Sequence, residues 1–272
     1  MATTAFYDSL PIEVQTYARE AAVTVIKNKV RASVYLIEKN DYHYYLKITP
    51  KGHLQNEVLM TEYLHRYGIC PTVILYISDD SKDYLLTERV TGSDATSDEY
   101  LAQPDRLVRV FAESLAHFHH VRYSDCPISN DLEQMVMRAE GNYRKGRVES
   151  SLLQYVGYTN IEAAYAELVS LFNNACEDNT IIHGDYCLPN VILHDFRLSG
   201  FVDVGYAGVG DRHYDIFWGL WSLEFNLKCG SYAETFLQSY GKQWIDHERL
   251  RLCGLLSAFN GYRGMDYYSL PQ

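Results

Sequence analysis

This chain lacks several things that would have classified it quickly. No apolar run reaches the ~20 residues a membrane-spanning helix needs. The first residues, Met1-Ala2-Thr3-Thr4-Ala5, have no basic stretch leading into an apolar one, so no signal peptide is expected. The six cysteines, at 70, 126, 176, 187, 229 and 253, form no CxxC pair. That argues against a zinc site, and scattered thiols fit a reducing cytosol better than a disulfide framework. There is no GxGxxG and no GxxxxGK[ST], which excludes an ordinary P-loop and the glycine-rich lid of eukaryotic protein kinases. Basic residues are in deficit, 24 against 35 acids, for a formal charge of −11. A nonspecific nucleic-acid binder needs the opposite balance. The acidity favours a cationic partner through steering, although solubility alone accounts for many acidic chains.

What is present is a spacing of polar residues. Ile181-Ile182-His183-Gly184-Asp185-Tyr186-Cys187-Leu188-Pro189-Asn190 is followed by Gly200-Phe201-Val202-Asp203-Val204-Gly205. Asp185, Asn190 and Asp203 therefore lie five and thirteen residues apart between short apolar segments. Phosphoryl transfer needs a hydroxyl held in line and charge neutralised on the phosphates. Asp185 suits the acceptor hydroxyl, as base or orienter. The Asn190 amide oxygen and the Asp203 carboxylate are hard ligands of the kind Mg²⁺ prefers. Val191-Ile192-Leu193 and Phe201-Val202 read as a hairpin holding these groups at its ends, with the bend expected at Ser199-Gly200. HGD alone is a weak signal. HGDxxxxN, an apolar strand, VDVG and then Gly208-x-x-Asp211-x-x-x-Asp215 together form a specific one.

These segments resemble the aminoglycoside phosphotransferase family, nearest its 3'-phosphotransferase branch. The resemblance extends to Tyr123-Ser124-Asp125-Cys126-Pro127, to Leu85 through Gly92, and to Leu255-Leu256. It implies an α+β, two-lobed protein-kinase-like fold in a cytoplasmic bacterial enzyme that uses ATP and Mg²⁺ to phosphorylate a hydroxyl of an aminoglycoside-like antibiotic. The implied partner is a small hydroxylated, cationic acceptor, with no nucleic acid or membrane involved, and the chain is expected as a monomer or weak dimer.

The patterning agrees with such an order. A helix is expected over 11–27, a hairpin over 33–38 and 42–48, a helix over 53–67, and strands near 73–77 and 83–88. Gly92-Ser93-Asp94-Ala95-Thr96-Ser97 is the best linker, dividing a nucleotide lobe (1–92) from a catalytic and acceptor lobe (93–272). Helices are expected beyond it near 103–120, 129–144, 160–177, 211–227, 231–241 and 246–259. A nucleotide is expected in the cleft between the lobes.

On the nucleotide side, Lys47 and Tyr45 share a strand face. In the kinase reading Lys47 meets the α- and β-phosphates and Tyr45 stacks on adenine. Glu57 is the natural partner of Lys47, with Glu62 as the competitor facing elsewhere. Ser33 is a candidate phosphate donor. The resemblance makes Leu86-Thr87-Glu88-Arg89 the hinge whose backbone meets the adenine edge. His117-Phe118-His119-His120 has no carboxylate or cysteine at ligand spacing and reads as structural. His183 reads as a loop brace, Asp211 as a helix cap and Asp215 as an anchor for the catalytic loop.

The acceptor side departs from the family pattern. DxGRxG reads Asp203-Val204-Gly205-Tyr206-Ala207-Gly208, with Tyr206 for arginine. A helix that commonly carries adjacent acids reads Trp221-Ser222-Leu223-Glu224-Phe225-Asn226, and LLDEFF reads Leu255-Leu256-Ser257-Ala258-Phe259-Asn260. Tyr206 and Glu224 are the candidate acceptor contacts, with Asp246, Glu248 and Asp266 as possible compensating acids. The aromatics Trp218, Trp221, Phe225, Tyr262, Tyr267 and Tyr268 suggest a more apolar acceptor. Two readings beside the antibiotic kinase stay open: a kinase of another antibiotic or hydroxylated metabolite, and a noncatalytic nucleotide-binding module.

Overall fold

The computed structural model describes residues 4–176 and 178–261. The chain forms two compact units. Among the described residues, one runs to Thr91 and takes in Gly200–Gly205, and the other comprises Gly92–Ser199 and the chain from Tyr206 onward.

The first unit is built on a five-stranded antiparallel sheet in the order β1-β2-β3-β5-β4. Its strands are β1 (Ala22–Lys29), β2 (Ala32–Lys39), β3 (Tyr42–Pro50), β4 (Val73–Ser78) and β5 (Lys82–Glu88). Strand alternation gives the sheet two faces. Leu46, Tyr84 and Leu86 join Ile37, Val23 and residues of α1 (Thr4–Asp8) and α2 (Ile12–Ala18) in one apolar cluster. Leu85 points the other way, against Leu54 and Val58 at the start of α3 (Gln55–His65). Lys47 lies opposite Leu85 in the β3–β5 ladder, so it belongs to the face that α3 covers. The buried Asp83 carboxylate accepts the Leu54 N–H at 3.0 Å and ties the entry of α3 to β5.

The helix expected over 11–27 ends at Ala18, and β1 occupies the rest. Glu20 adopts a left-handed backbone (φ 59°), and the β-branched run Val23-Thr24-Val25-Ile26 prefers a strand. Helical spacing over the first residues had carried the expectation too far.

The second unit is mainly helical. After the short β6 (Ser93–Asp94) and α4 (Asp98–Leu101) come α5 (Pro104–His119), α6 (Leu132–Arg144), α7 (Ser150–Tyr155) and α8 (Ile161–Asn174). Then follow β7 (Asn179–Ile182), a 3₁₀ turn at Leu188–Asn190, β8 (Val191–His194), β9 (Arg197–Phe201) and β10 (Gly208–Asp211). The chain continues through α9 (Arg212–Leu227), a 3₁₀ turn at Gly230–Tyr232, α10 (Ala233–Tyr240) and α11 (His247–Asn260). Side chains of Asp131, Asn160, Asp211 and Asp246 cap α6, α8, α9 and α11, the role short polar residues fill at orphan N–H groups. The core is dense in aromatics: Phe111, Phe118, Tyr186, Phe236 and Phe259 have no exposed surface. Among the described residues no helix is long and apolar enough to cross a membrane.

The expected β8–β9 hairpin forms, but it does not bend at Ser199-Gly200. Both residues lie inside β9, and the turn is made by Asp195 and Phe196, each left-handed (φ 52° and 57°). Two successive positive φ values suit a tight hairpin's twist, and the Phe196 ring is held between Tyr100 and the Arg106 guanidinium. Gly200 has a different purpose. A Cβ there would lie 3.2 Å from Val90 and 3.4 Å from the Ile69 carbonyl.

Candidate active site

In the first unit the site is an ion triad. Lys47 Nζ lies 2.6 Å from Glu57 Oε2 and 2.6 Å from Asp203 Oδ1. Glu57 sits in the first turn of α3 and is buried, while the Asp203 carboxylate is 40% exposed. Burial alone would lower the Lys47 ammonium, but Glu57 and Asp203 outweigh it and hold it above the usual lysine range. Asp203 is left-handed (φ 60°), a conformation Asp tolerates better than most residues and one that clusters at functional sites. Glu62 plays no part in the triad.

The other nucleotide-side candidates occupy the same sheet. Tyr45 is half-buried on β3, opposite Leu36 and Thr87. Ser33 donates to the Asn28 side chain at 2.9 Å within the β1–β2 hairpin. Leu86 is wholly buried, so only its backbone can meet a ligand. The N–H groups of Glu88 and Arg89 donate to the carbonyls of Thr72 (3.0 Å) and His43 (2.9 Å). An adenine edge at this segment would therefore be met by its carbonyls or by neighbouring backbone.

In the second unit the catalytic-loop candidate is braced from behind. Gly184 is left-handed (φ 77°), and a Cβ there would lie 2.2 Å from the Tyr206 carbonyl oxygen. Glycine is thus required twice, by conformation and by approach. Asp215, with no exposed surface, accepts the His183 N–H at 2.6 Å and the Gly184 N–H at 2.8 Å. His183 is also buried, and its Nδ1 accepts the Asp185 N–H at 3.3 Å. This contact braces the loop from within. Asn190 Nδ2 donates to the Asp185 carbonyl (2.8 Å) and carboxylate (3.3 Å), which leaves Oδ1 as its metal-ligating atom by type. The Cys187 thiol donates to Asp185 Oδ1 at 3.6 Å. Asn190 in this unit can offer an amide oxygen, and Asp203 in the first unit a carboxylate. Each is by type the hard oxygen donor that Mg²⁺ prefers.

The acceptor-side candidates divide. Tyr206 is 63% exposed, and its carbonyl accepts from Asn130 Nδ2 at 3.0 Å. Glu224 is exposed on α9, and burial and then its charge push the Tyr155 phenol above the usual tyrosine range. The Asp246 carboxylate is occupied as the cap of α11, while Glu248 is exposed. Ser257 and Ala258 are fully buried, with Ser257 bonded to the Cys253 carbonyl, so these positions carry no surface charge for an acceptor. Phe225 stacks on Trp221 at 5.1 Å and lies under the Lys228 ammonium. Asp266, Tyr262, Tyr267 and Tyr268 lie outside the described residues. Sequence reasoning missed Asn130 and Tyr240, both of which act across long stretches of chain and leave no local motif.

The architecture has close structural counterparts. The crystal structure of aminoglycoside-3'-phosphotransferase of type VIII matches with a TM-score of 0.75 at 25% identity, covering 91% of this chain and 96% of that one. The fold is thus the protein-kinase-like α+β fold, and the class is a phosphotransferase with a hydroxyl acceptor. A probable aminoglycoside 3'-phosphotransferase of Lactococcus lactis is 35% identical over 255 residues, 93% of this chain and 95% of that protein. An aminoglycoside 3'-phosphotransferase of Streptomyces fradiae is 34% identical over 229 residues, 79% of this chain and 85% of that protein. The family model described as the phosphotransferase enzyme family matches residues 22–253, and the chain belongs to that family.

Proposed function

We propose that this chain transfers the γ-phosphate of ATP to a hydroxyl of an aminoglycoside-like antibiotic. The unit running to Thr91 holds the nucleotide, and the helical unit holds the acceptor. Lys47, fixed by Glu57, binds the nucleotide phosphates, with Ser33, Tyr45 and the Leu86, Thr87 and Arg89 backbone around the nucleotide. Asp185 orients the acceptor hydroxyl and takes its proton as the oxygen attacks phosphorus. Tyr206 and Glu224 contact the acceptor. Mg²⁺, held by Asn190 and Asp203, would neutralise charge on the phosphates.

The observation that carries this reading is the triad. A strand lysine is held 2.6 Å from a helix glutamate and from an aspartate 156 residues away. A surface lysine has no need of two carboxylates, whereas a phosphate-binding lysine is fixed by its helix glutamate and lies beside the aspartate that takes Mg²⁺. The test is ADP release with ATP and Mg²⁺ across a panel of hydroxylated acceptors, repeated with Asp185→Asn. Acceptor-dependent ADP release that the substitution abolishes supports the reading. Wild-type turnover by Asp185→Asn refutes the role of Asp185.

The buried Ser257 and Ala258 favour a second reading. There the same chemistry serves a less cationic hydroxylated acceptor, because a charge-assisted contact contributes about 1.5–3 kcal/mol and such contacts are absent at these two positions. Turnover of neutral acceptors above that of kanamycin-class compounds in the same panel would select it.

A further inference from the structure

A second set of buried polar groups stands behind the catalytic loop. His119 ends α5 with its side chain almost wholly enclosed. Its Nδ1 lies 2.8 Å from the Tyr240 hydroxyl on α10, and its Nε2 lies 3.2 Å from Asp215 Oδ2 on α9. The Tyr240 hydroxyl lies 3.4 Å from Arg212 Nη1. Thr180 of β7 donates to the His119 carbonyl at 2.6 Å. Four elements far apart in sequence, α5, α9, α10 and β7, thus meet at this residue, and α9 and α10 hold its imidazole.

The hydrogen-bond directions follow from chemistry. Asp215 already accepts two backbone N–H groups, and a carboxylate can only accept. Nε2 therefore carries the proton and donates to Asp215. Nδ1 must then accept, so the Tyr240 phenol donates to it, and the phenol oxygen accepts from Arg212. Both ends agree with this. Burial pushes the Tyr240 phenol up to about 12, keeping it protonated. Burial also lowers the His119 imidazole against the pull of Asp215, with Arg212 and His213 opposing a charge there, so the ring is neutral. The chain of donors runs one way, from Arg212 through Tyr240 and His119 to Asp215, which grips the amides of residues 183 and 184.

We propose that His119 is a positioning residue for phosphoryl transfer: locked by Tyr240 as the Nε2–H tautomer, it orients Asp215 and through it the backbone that aims Asp185. The proposal rests on the reading of Asp185 as the group that meets the acceptor hydroxyl. Asp215 has two carboxylate oxygens and two loop amides to satisfy. Without a third donor its plane is free to tilt, and the loop tilts with it. A misplacement of about 1 Å at a reacting group lowers a rate by about 100-fold.

The test uses the full chain with ATP, Mg²⁺ and the best acceptor of the panel. His119→Leu removes the donor and is expected to lower kcat by 10- to 100-fold with KM for ATP within about twofold. His119→Gln can present an amide N–H near the Nε2 position and should recover most of the lost kcat. Tyr240→Phe unlocks the tautomer and should lower kcat several-fold, again with KM for ATP kept. ¹⁵N imidazole shifts of wild-type protein supply a readout independent of activity and of whether the variants fold, and should report neutral His119 protonated at Nε2. A ring protonated at Nδ1, or charged at neutral pH, overturns the proposal. So does His119→Gln falling as far as His119→Leu, or His119→Leu retaining wild-type kcat. Asp185→Asn separates the two ideas: if it turns over normally the reading of Asp185 fails, whatever tautomer His119 adopts.

Discussion

The Lys47 triad makes a quantitative claim about stability. Lys47 and Glu57 are 19% and 9% exposed at the side chain, so their pair is largely shielded from water, whereas Asp203 is 40% exposed. Removing one partner of a buried pair costs about 3–5 kcal/mol, because the other charge is left uncompensated. A pair open to solvent contributes about 0–1 kcal/mol. Lys47→Met should therefore destabilise the protein by about 3 kcal/mol, nearly all of it through Glu57. Glu57→Gln should cost less, about 1–2 kcal/mol, since Asp203 still accompanies the ammonium. Lys47→Met with Glu57→Gln should be milder than the sum, leaving a coupling energy of about 2 kcal/mol. Urea unfolding of the four proteins, followed by tryptophan fluorescence, measures this directly. The folded state holds Lys47 above its unfolded value. Its stabilisation is then fully present below the unfolded lysine pKa of about 10.4 and is lost as pH rises through the folded value. Burial raises the Glu57 carboxyl against the pull of Lys47, so the coupling should also weaken as pH falls and Glu57 takes up a proton. A coupling below about 0.5 kcal/mol at pH 7.5 would refute the argument that this pair is shielded.

Gly184→Ala must relieve a 2.2 Å approach to a backbone oxygen and a positive φ; it should lose more than 2 kcal/mol of stability and most turnover, read by melting and ADP release. Asn190→Asp removes the amide donor to Asp185 and adds a like charge beside it, so the Mg²⁺ concentration for half-maximal turnover should shift and kcat should fall by at least tenfold. Phe111 is fully buried and stacks on Tyr186 at 4.5 Å; Phe111→Ala should cost about 3–5 kcal/mol in denaturant unfolding. The Asp79 carboxylate accepts the backbone N–H groups of Ser81 and Lys82, which pull it down to about 2. Its ¹³C titration should have a midpoint near that value. The lowered value adds stability above the unfolded Asp pKa, and that stability is lost as pH falls toward 2; a midpoint near 4 would show the turn is not formed.

Legibility followed the range over which each interaction acts. The β2–β3 hairpin, α3, α5, α6, α9 and α11 lie close to where apolar periodicity places them, because each pattern is local. The Asp211 cap and the Asp215 anchor could also be read, since an Asp beside a helix start has few common uses. The reach of β1 could not, because a helical repeat and a β-branched run adjoin at residues 18–23 and only the neighbouring strand decides between them. The pattern places the hairpin bend at Ser199-Gly200, but the absent side chain of Gly200 instead makes room for Val90 and Ile69. Glycine signals either a turn or a close approach, and a sequence does not say which.

The spacing of Asp185, Asn190 and Asp203, the alternation that puts Lys47 and Tyr45 on one strand face, and the acidity of the chain belong to the sequence alone. They name the chemistry because side-chain type and backbone period are local properties. Packing decided which groups meet. It brought Lys47 to Asp203, His119 to Asp215 and Tyr240, and Asn130 to the Tyr206 carbonyl, and it enclosed Ser257 and Ala258. Those pairings join residues from dozens to more than a hundred positions apart. They exist because helices and strands must bury their apolar faces together, and no short stretch of chain records which neighbour that burial brings.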